Sequence, residues 1–473
     1  MPTIEISQKT LERLVGRKVG IDDYQVVKGS LEMQEGDKIK LEIGDSNRPD
    51  LWSVEGVARV LRGYHGLSKG IPHMKMKKSG KKIIVNSNIK PVRPFIAGFI
   101  VKNVNVTEEL LLDIIQLQEK ICDNYGRKRQ RVSIGVYDYN KIEFPVYYKA
   151  IDPDKMSFTP LEFEKAMTLS QILEEHPKGI QYGYVLKDHK LYPIFVDSKD
   201  DVLSFPPIIN SNYIGKVEPG SNNLFMEVTG TDMKTVLIAT NIFAYAMSDR
   251  GAEIESVSVA YPWKTRYGKV IETPYIFKEK VSFSKARISE MLGISLADGE
   301  VKKLLEKMQY NASVGKNVTV EVAPYRNDVM HYVDIIEDIA IAYGYGKFSS
   351  LGMCGYTPGK LSQFTEFMEK CRLVMIGLGF QEIASPLLTS KIALDNMRCH
   401  SSLVEIDNVM SESYSVVRPF VMPSLMSCLS KNMHNDYPQR IFELGECAQK
   451  NGEIKTTTRM AVCMADTGCW GDF

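Results

Sequence analysis

Paired cysteine motifs are missing from this sequence. Its eight cysteines are scattered, with no CxxC and no His pair at zinc spacing. That excludes the usual zinc modules and a disulfide framework, and it reads as reduced cytosolic thiols. Long apolar runs are missing too. Val236–Ala239 running on to Ile242–Met247 is interrupted and falls well short of the ~18–20 residues that cross a bilayer. The first residues, MPTIEISQKTLERL, carry acids and no apolar core, unlike a secretory signal. The expected location is the cytoplasm, with no membrane partner. Charge of one sign is not in excess: 59 Lys+Arg face 58 Asp+Glu, a formal net charge of +1. Any nucleic-acid surface must therefore be local. The signatures GxxxxGK[ST], GxGxxG, HExxH and GxSxG are all absent. KMSFT at Lys155–Thr159 has no HxGH partner and reads as coincidence.

What is present is a chain of 473 residues, long enough for three or four domains. Strand-like and helix-like segments alternate irregularly, so the expected class is α+β and multidomain. TIEISQKTLERLVG reads as a strand entering a helix capped by Ser7. KIKLEIGDSNRPDLWSVEGVARVLRGYHG reads as a strand, a polar turn and a helix capped by Asp50 or Ser53. The lysine-rich KGIPHMKMKKSGKK reads as an exposed linker or hairpin tip, placing a boundary near residues 70–90. VTEELLLDIIQLQEKICDNYG begins with Val106 as a staple and Thr107 as a cap. The expected domains are 1–88 (α/β), 89–270 (mixed α/β), 271–348 (two short helices and a hairpin, a winged-helix outline) and 349–473. The run RMAVCMAD reads as a core strand. Because TGCWGDF follows it at once, the last domain is expected to be incomplete at its C-terminus.

Four segments carry candidate chemistry. In YRNDVMHYVDIIEDIAIAYGYGKF, Asp334, Glu337 and Asp338 are spaced i, i+3, i+4 on one helical face, with Asp328 just upstream. Such acids suit Mg²⁺ as hard oxygen ligands, or form a solvated acidic face; spacing leaves both open. In PPIINSNYIGKVEPGSNNLFMEVTGTDMKT, Asn210, Ser211, Glu227, Thr229 and Thr231 emerge beside apolar strands. They read either as caps and turns, with Asp232 or Thr231 as the N-cap, or as a polar pocket positioning a substrate and a water. GRKRQR at 126–131 either grips phosphates or is solvated. Finally, Phe364, Phe367, Cys371, Val374 and Leu378 form an amphipathic seam, and VRPFVMPSLM with RIFELGE lays out strand, helix, loop and strand.

Taken together, SNRPDLWSVEGVARVL, GRKRQRVSIGVYDY, INSNYIGKVEPGSNNLFMEVTGTD, YRNDVMHYVDIIEDIAIAYGYGKF and VRPFVMPSLM with RIFELGE resemble, in order, the beta subunit of archaeal/eukaryotic phenylalanyl-tRNA synthetases. The resemblance implies an editing domain at 89–270, a winged-helix-like domain and a class II synthetase catalytic-like domain with an antiparallel sheet. It implies an alpha partner in an (αβ)₂ heterotetramer and binding of tRNA(Phe). ATP-dependent phenylalanylation then belongs to alpha, and hydrolysis of mischarged Tyr-tRNA(Phe) to this chain. The family's magnesium acids carry over onto Asp328, Asp334, Glu337 and Asp338. In the editing pocket, Glu227 is expected to accept the phenol proton, while Asn210, Ser211 and Thr229, with Thr231 nearby, hold the ester end and its water. One departure stands out: Arg418-Pro-Phe lacks the acid that usually sits two residues on in the ATP-binding motif. Alternatives are a free-standing tRNA-binding or trans-editing module, or a structural subunit without its own activity.

Overall fold

The computed structural model describes residues 2–350, 352, 355, 357–399 and 402–466. Cys354, Cys469 and the final TGCWGDF, all part of the sequence expectations, lie outside them. Contacts divide the chain into two compact units, 1–350 and 351–473.

The first unit is organised by a ten-stranded mixed sheet. From one edge it runs Ile209–Asn210, Val202–Phe205, Tyr192–Val196, Val146–Ile151, Met76–Val85, Glu253–Thr265, Phe95–Lys102, Leu224–Gly230 and Val132–Asp138, with Gly268–Thr273 paired to Glu253–Thr265. Met76–Val85 is parallel to both of its neighbours; the remaining pairs are antiparallel. Leu224–Gly230 is buried at every position, as a strand paired on both sides and covered must be. The cover is the helix Met233–Asp249, whose apolar residues run round its circumference and are buried almost throughout. Asp232 caps that helix, its carboxylate accepting from Thr235 N at 2.9 Å.

The lysine-rich segment differs in part from the linker or hairpin tip expected there. KGIPHMKMKKSGKK is only in part a connection: its residues from Met76 on belong to Met76–Val85, which sits inside the sheet, pairing with Ile254–Ala260 and with Val146–Tyr148. Its lysines are exposed except for the half-buried Lys81, whereas Ile83 and Val85 are buried. Period-two patterning at the end of the strand outweighed the local charge. The expected boundaries at 88 and 270 thus fall within one contact unit, while the division after residue 350 lies close to the last.

The N-terminal strands Thr3–Ser7, Lys38–Ile43 and Gly29–Glu35 form a separate antiparallel sheet. Ser7 caps Gln8–Val15 and Ser53 caps Val54–Tyr64, each accepting from the backbone amide three residues on. Residues 280–343 combine the sheet Lys280–Ser284, Asn317–Glu321 and Asn311–Val314 with helices Ala286–Leu292, Asp298–Lys307 and Tyr332–Tyr343 around their own core.

The second unit contains helices Gln363–Gly377 and Met422–Lys431 and two small three-stranded sheets. Two expectations change here. The seam Phe364, Phe367, Val374 and Leu378 is exposed; of its helix only Met375 is buried. RMAVCMAD does lie in a strand, Glu453–Ala465, up to its last residue, but among the described residues that strand pairs only with Gln439–Asn451, and Cys463 is its one buried residue. Hydrophobicity alone did not distinguish a core from an uncovered face. Among the described residues, no helix is long and apolar enough to cross a membrane.

The placement of Met76–Val85 is testable. Ile83→Ala should destabilise the chain by about 2–5 kcal/mol, as loss of a buried Ile side chain does. Lys78→Ala should stay within about 0.5 kcal/mol. Urea unfolding of the two variants decides between a sheet strand and a linker.

Candidate functional site

Arg93 is the hub of the candidate pocket. Only 1% exposed, it has no carboxylate bonded to it and spreads its charge over hydroxyls and carbonyls. Nε donates to Thr229 Oγ1 (3.0 Å), Nη2 to Ser133 Oγ (3.1 Å) and to Thr229 O (2.8 Å), and Nη1 to the carbonyls of Arg129 and Gln130 (3.0 and 3.2 Å). Those bonds tie together two adjacent strands and the turn that precedes one of them. In this turn Arg127, Lys128 and Arg129 all have positive φ (50°, 50° and 67°), a costly backbone for non-glycine residues. Arg129 in turn donates to the carbonyls of Pro207 and Ile208, both at 2.9 Å, and lies 4.1 Å over the Tyr182 ring.

Within this frame is a pocket of about 310 Å³. Its walls are largely apolar (Ile114, Ile134, Val136, Leu161, Ile208), and Glu227, Ser204, Ser133, Asn210 and Arg129 contribute polar groups. Glu227 is 2% exposed. Its Oε1 accepts from the Tyr137 hydroxyl at 2.9 Å, whereas Oε2 is buried with no hydrogen-bond partner. Tyr137 Oη lies 2.8 Å from Ser204 Oγ. A phenol has one proton, so when Tyr137 gives it to Glu227, Ser204 supplies the other bond. Burial pushes the Glu227 carboxyl up to about 7, against the opposing pull of the Tyr137 hydroxyl and the Arg93 guanidinium.

The five expected pocket residues separate. Glu227 and Asn210 line the cavity; Asn210 Nδ2 donates to Val136 O (3.2 Å) and Gly215 O (3.4 Å). Thr229 is fully buried behind it, bonded to Arg93 and Ser133. Ser211 is spent on the local turn, its Oγ accepting from Ile214 N at 3.3 Å. Thr231 lines a different, basic pocket with Arg127, Arg131 and His189. Sequence reasoning missed Tyr137, Ser204, Ser133 and Arg93. Glu227 sits across from Gly135 in the sheet register, so only strand pairing brings Tyr137 and Glu227 together, and no local spacing could signal it.

The acidic set is engaged within the fold. Asp328 accepts from Arg326 at 2.7 and 2.5 Å and lies 3.6 Å from Arg48. Asp338 accepts from Arg326 (3.0 Å) and from the Tyr310 hydroxyl (2.6 Å). Asp334 folds back on the Met330 and His331 amides at the start of its own helix, and Glu337 pairs with Lys28 at 2.7 Å. Among the described residues, no group of three or more His, Cys, Asp or Glu is placed to hold a metal ion. Two of the four, Asp328 and Asp338, are already paired with Arg326. Helical spacing brought three acids to one side, but buried Arg326 takes one of them, Asp338, together with Asp328 upstream. Although burial alone would raise it, Arg326 and Arg48 hold the Asp328 carboxyl down to about 2.

In the second unit Arg418 is 3% exposed. It donates to Glu443 Oε1 (2.7 Å), Ser385 Oγ (2.7 Å) and Glu446 O (2.9 Å). A Cβ on Gly445 would stand 1.9 Å from its guanidinium, so the glycine is needed to seat it. The arginine is consumed internally rather than presented to a phosphate.

Comparison with known proteins follows the same division. A profile described as tRNA synthetase B5 domain matches residues 281–345. Another, described as phenylalanyl tRNA synthetase beta chain CLM domain, matches residues 350–470. The chain is 38% identical to the phenylalanine–tRNA ligase beta subunit of Pyrococcus horikoshii, covering 99% of this chain and 86% of that protein. It is 37% identical to the beta subunit of Treponema pallidum over 90% of this chain and 72% of the relative. The crystal structure of an N-terminal fragment of the Pyrococcus horikoshii phenylalanyl-tRNA synthetase beta subunit superposes with a TM-score of 0.69 at 40% identity, covering 73% of this chain and 100% of the fragment.

The Glu227 environment predicts a stability signature. Between the unfolded carboxyl value of about 4.3 and about 7, the folded chain holds a proton that the unfolded chain has released. Stability therefore falls as pH rises through that window, and the loss is complete above it. Glu227→Gln, which needs no ionisation, should be more stable than the parent at pH 8, by about 4 kcal/mol if the whole shift counts. At pH 4 the two should be similar, and paired denaturation at both pH values measures the difference.

Proposed function

The chain belongs to the phenylalanine–tRNA ligase beta-subunit family, and from that premise we propose that it is the editing and assembly subunit of such a ligase. It pairs with an alpha subunit in an (αβ)₂ tetramer, binds tRNA(Phe) and hydrolyses tyrosine wrongly attached to that tRNA. The observation that carries the editing reading is Glu227, a buried carboxylate with one free oxygen in an otherwise mostly apolar pocket. Phenylalanine and tyrosine differ by one hydroxyl. An apolar synthetic pocket rejects an added hydroxyl only weakly, by ~10² at best, so a second site that hydrogen-bonds the hydroxyl is the effective remedy. Leaving such a buried acceptor unpaired costs about 1–3 kcal/mol, and a phenol supplies the missing donor. Asn210 and Ser204 are the neighbouring groups that orient the aminoacyl end and a water. With no Cys or His among the described residues that line the pocket, hydrolysis rests on positioning rather than on a covalent intermediate.

Synthesis, with its ATP and Mg²⁺, is assigned to alpha. Internal use of Arg418 supports this, and so does the uncovered apolar face of Gln363–Gly377 (Phe364, Phe367, Leu373, Val374), which suits burial against a partner helix.

Two measurements test the reading. Glu227→Ala should cut Tyr-tRNA(Phe) deacylation by ten-fold or more while alpha-dependent charging with phenylalanine stays nearly intact. Unchanged deacylation would move the editing site elsewhere. The purified chain without alpha should show no phenylalanine-dependent ATP–pyrophosphate exchange; exchange above background would return the synthetic centre to this chain.

A further inference from the structure

Glu227 presents two different oxygens, and the difference is built. Oε1 is taken by the Tyr137 hydroxyl, which Ser204 holds in turn from the neighbouring part of the pocket. Oε2 is buried, unpartnered, and belongs to a residue that lines the cavity. The space beside the pair is kept clear: a Cβ on Gly135 would fall 2.2 Å from Tyr137 Oη and 2.7 Å from Glu227 Oε1. Tyr137 is itself fully buried and stacked against Phe225, with ring centroids 6.0 Å apart, so its hydroxyl has little freedom to leave.

We propose that Tyr137, held by Ser204, is the positioning residue that makes Glu227 a one-sided acceptor, so that the pocket selects an aromatic side chain bearing a phenolic hydroxyl over one ending in a bare ring. The inference rests on the reading that this pocket receives the aminoacyl group. A carboxylate with both oxygens free can turn to meet any donor. One pinned by a buried phenol offers a single acceptor at a fixed place. A ligand that ends in a bare ring leaves that acceptor unpaired, while a phenol completes it. The charged and titratable groups around Glu227 are Tyr137 from Val132–Asp138, Tyr148 from Val146–Ile151, Arg93 ahead of Phe95–Lys102, and, along the cavity lining, Arg129, Glu119, Glu162 and Lys178. Of these, Tyr137 alone bonds to the carboxylate.

The test is binding of L-tyrosinamide and L-phenylalaninamide to the full chain by calorimetry, beside Tyr-tRNA(Phe) deacylation by the same preparation. The parent should favour tyrosinamide by ten-fold or more. Tyr137→Phe, nearly isosteric, should remove most of that preference through weaker tyrosinamide binding, with phenylalaninamide changed less than two-fold. Ser204→Ala should reduce it about three-fold and carries the test if Tyr137→Phe does not fold. The pH at which the preference is lost on acidification should move upward in Tyr137→Phe, because the donor that favours the ionised carboxylate is gone. A merely structural tyrosine would not move it. Full preference in Tyr137→Phe, with the preference abolished in Glu227→Gln, would overturn the positioning role and leave the editing reading standing. No preference in the parent would overturn the inference outright. Preference without any deacylation would uphold it and sink the editing reading instead.

Discussion

A guanidinium buried without a bonded carboxylate is the constraint on which this pocket depends. Arg93 satisfies its donors with two hydroxyls and three carbonyls drawn from Leu224–Gly230, Val132–Asp138 and the turn between residues 126 and 131. Burying a charge in this way is tolerable only when nearly every donor is met. Meeting them fixes the register of the two strands and holds the strained Arg127–Arg129 turn. That turn places Arg129 against the Pro207 and Ile208 carbonyls on the far side of the cavity. The positive charge also opposes the desolvation of Glu227. Without it the carboxyl would be neutral over a wider pH range and a poorer acceptor. Scaffold and site electrostatics are here one arrangement.

The same economy governs the other buried charges. Arg326 gathers Asp328, Asp338 and the neighbourhood of Tyr310, and Arg48 joins from the N-terminal sheet region with Asp50 as its own bidentate partner. This network links residues near 48 to the helix Tyr332–Tyr343, holding distant parts of the first unit together. Removing one member of such a set leaves a buried charge uncompensated, which costs far more than an exposed ion pair contributes. In the second unit Arg418 and Glu443 repeat the pattern, with Gly445 clearing room for the guanidinium. In each case a buried charge is met by a partner within the fold.

Much of the secondary structure was legible because it is local. Ser7, Ser53 and Thr107 are caps that the chain announces through neighbouring residues. Asp232 was equally legible as a cap, which left its neighbour Thr231 free of that duty. The lysine-rich segment misled for a physical reason. Its charges describe the exposed face and first half of Met76–Val85, while two buried residues at the end, Ile83 and Val85, decide its place in the sheet. The apolar stripe of Gln363–Gly377 misled in the opposite sense, since amphipathicity states that a face wants cover without saying what supplies it.

Ordered resemblance along nearly the whole chain determined the family, because motifs in series identify a relative even when each alone is weak. Periodicity determined the α+β class, and composition indicated the absence of a spanning helix. The make-up of the site was decided by tertiary structure. Glu227 meets Tyr137 only because antiparallel pairing sets it opposite Gly135, two residues away on the next strand, and Ser204 and Arg93 arrive from further still. Whether an acid is a ligand, an acceptor or half of an ion pair depends on what lies within about 4 Å and on how much water is excluded. Those are properties of the packed chain, and spacing along the sequence does not contain them.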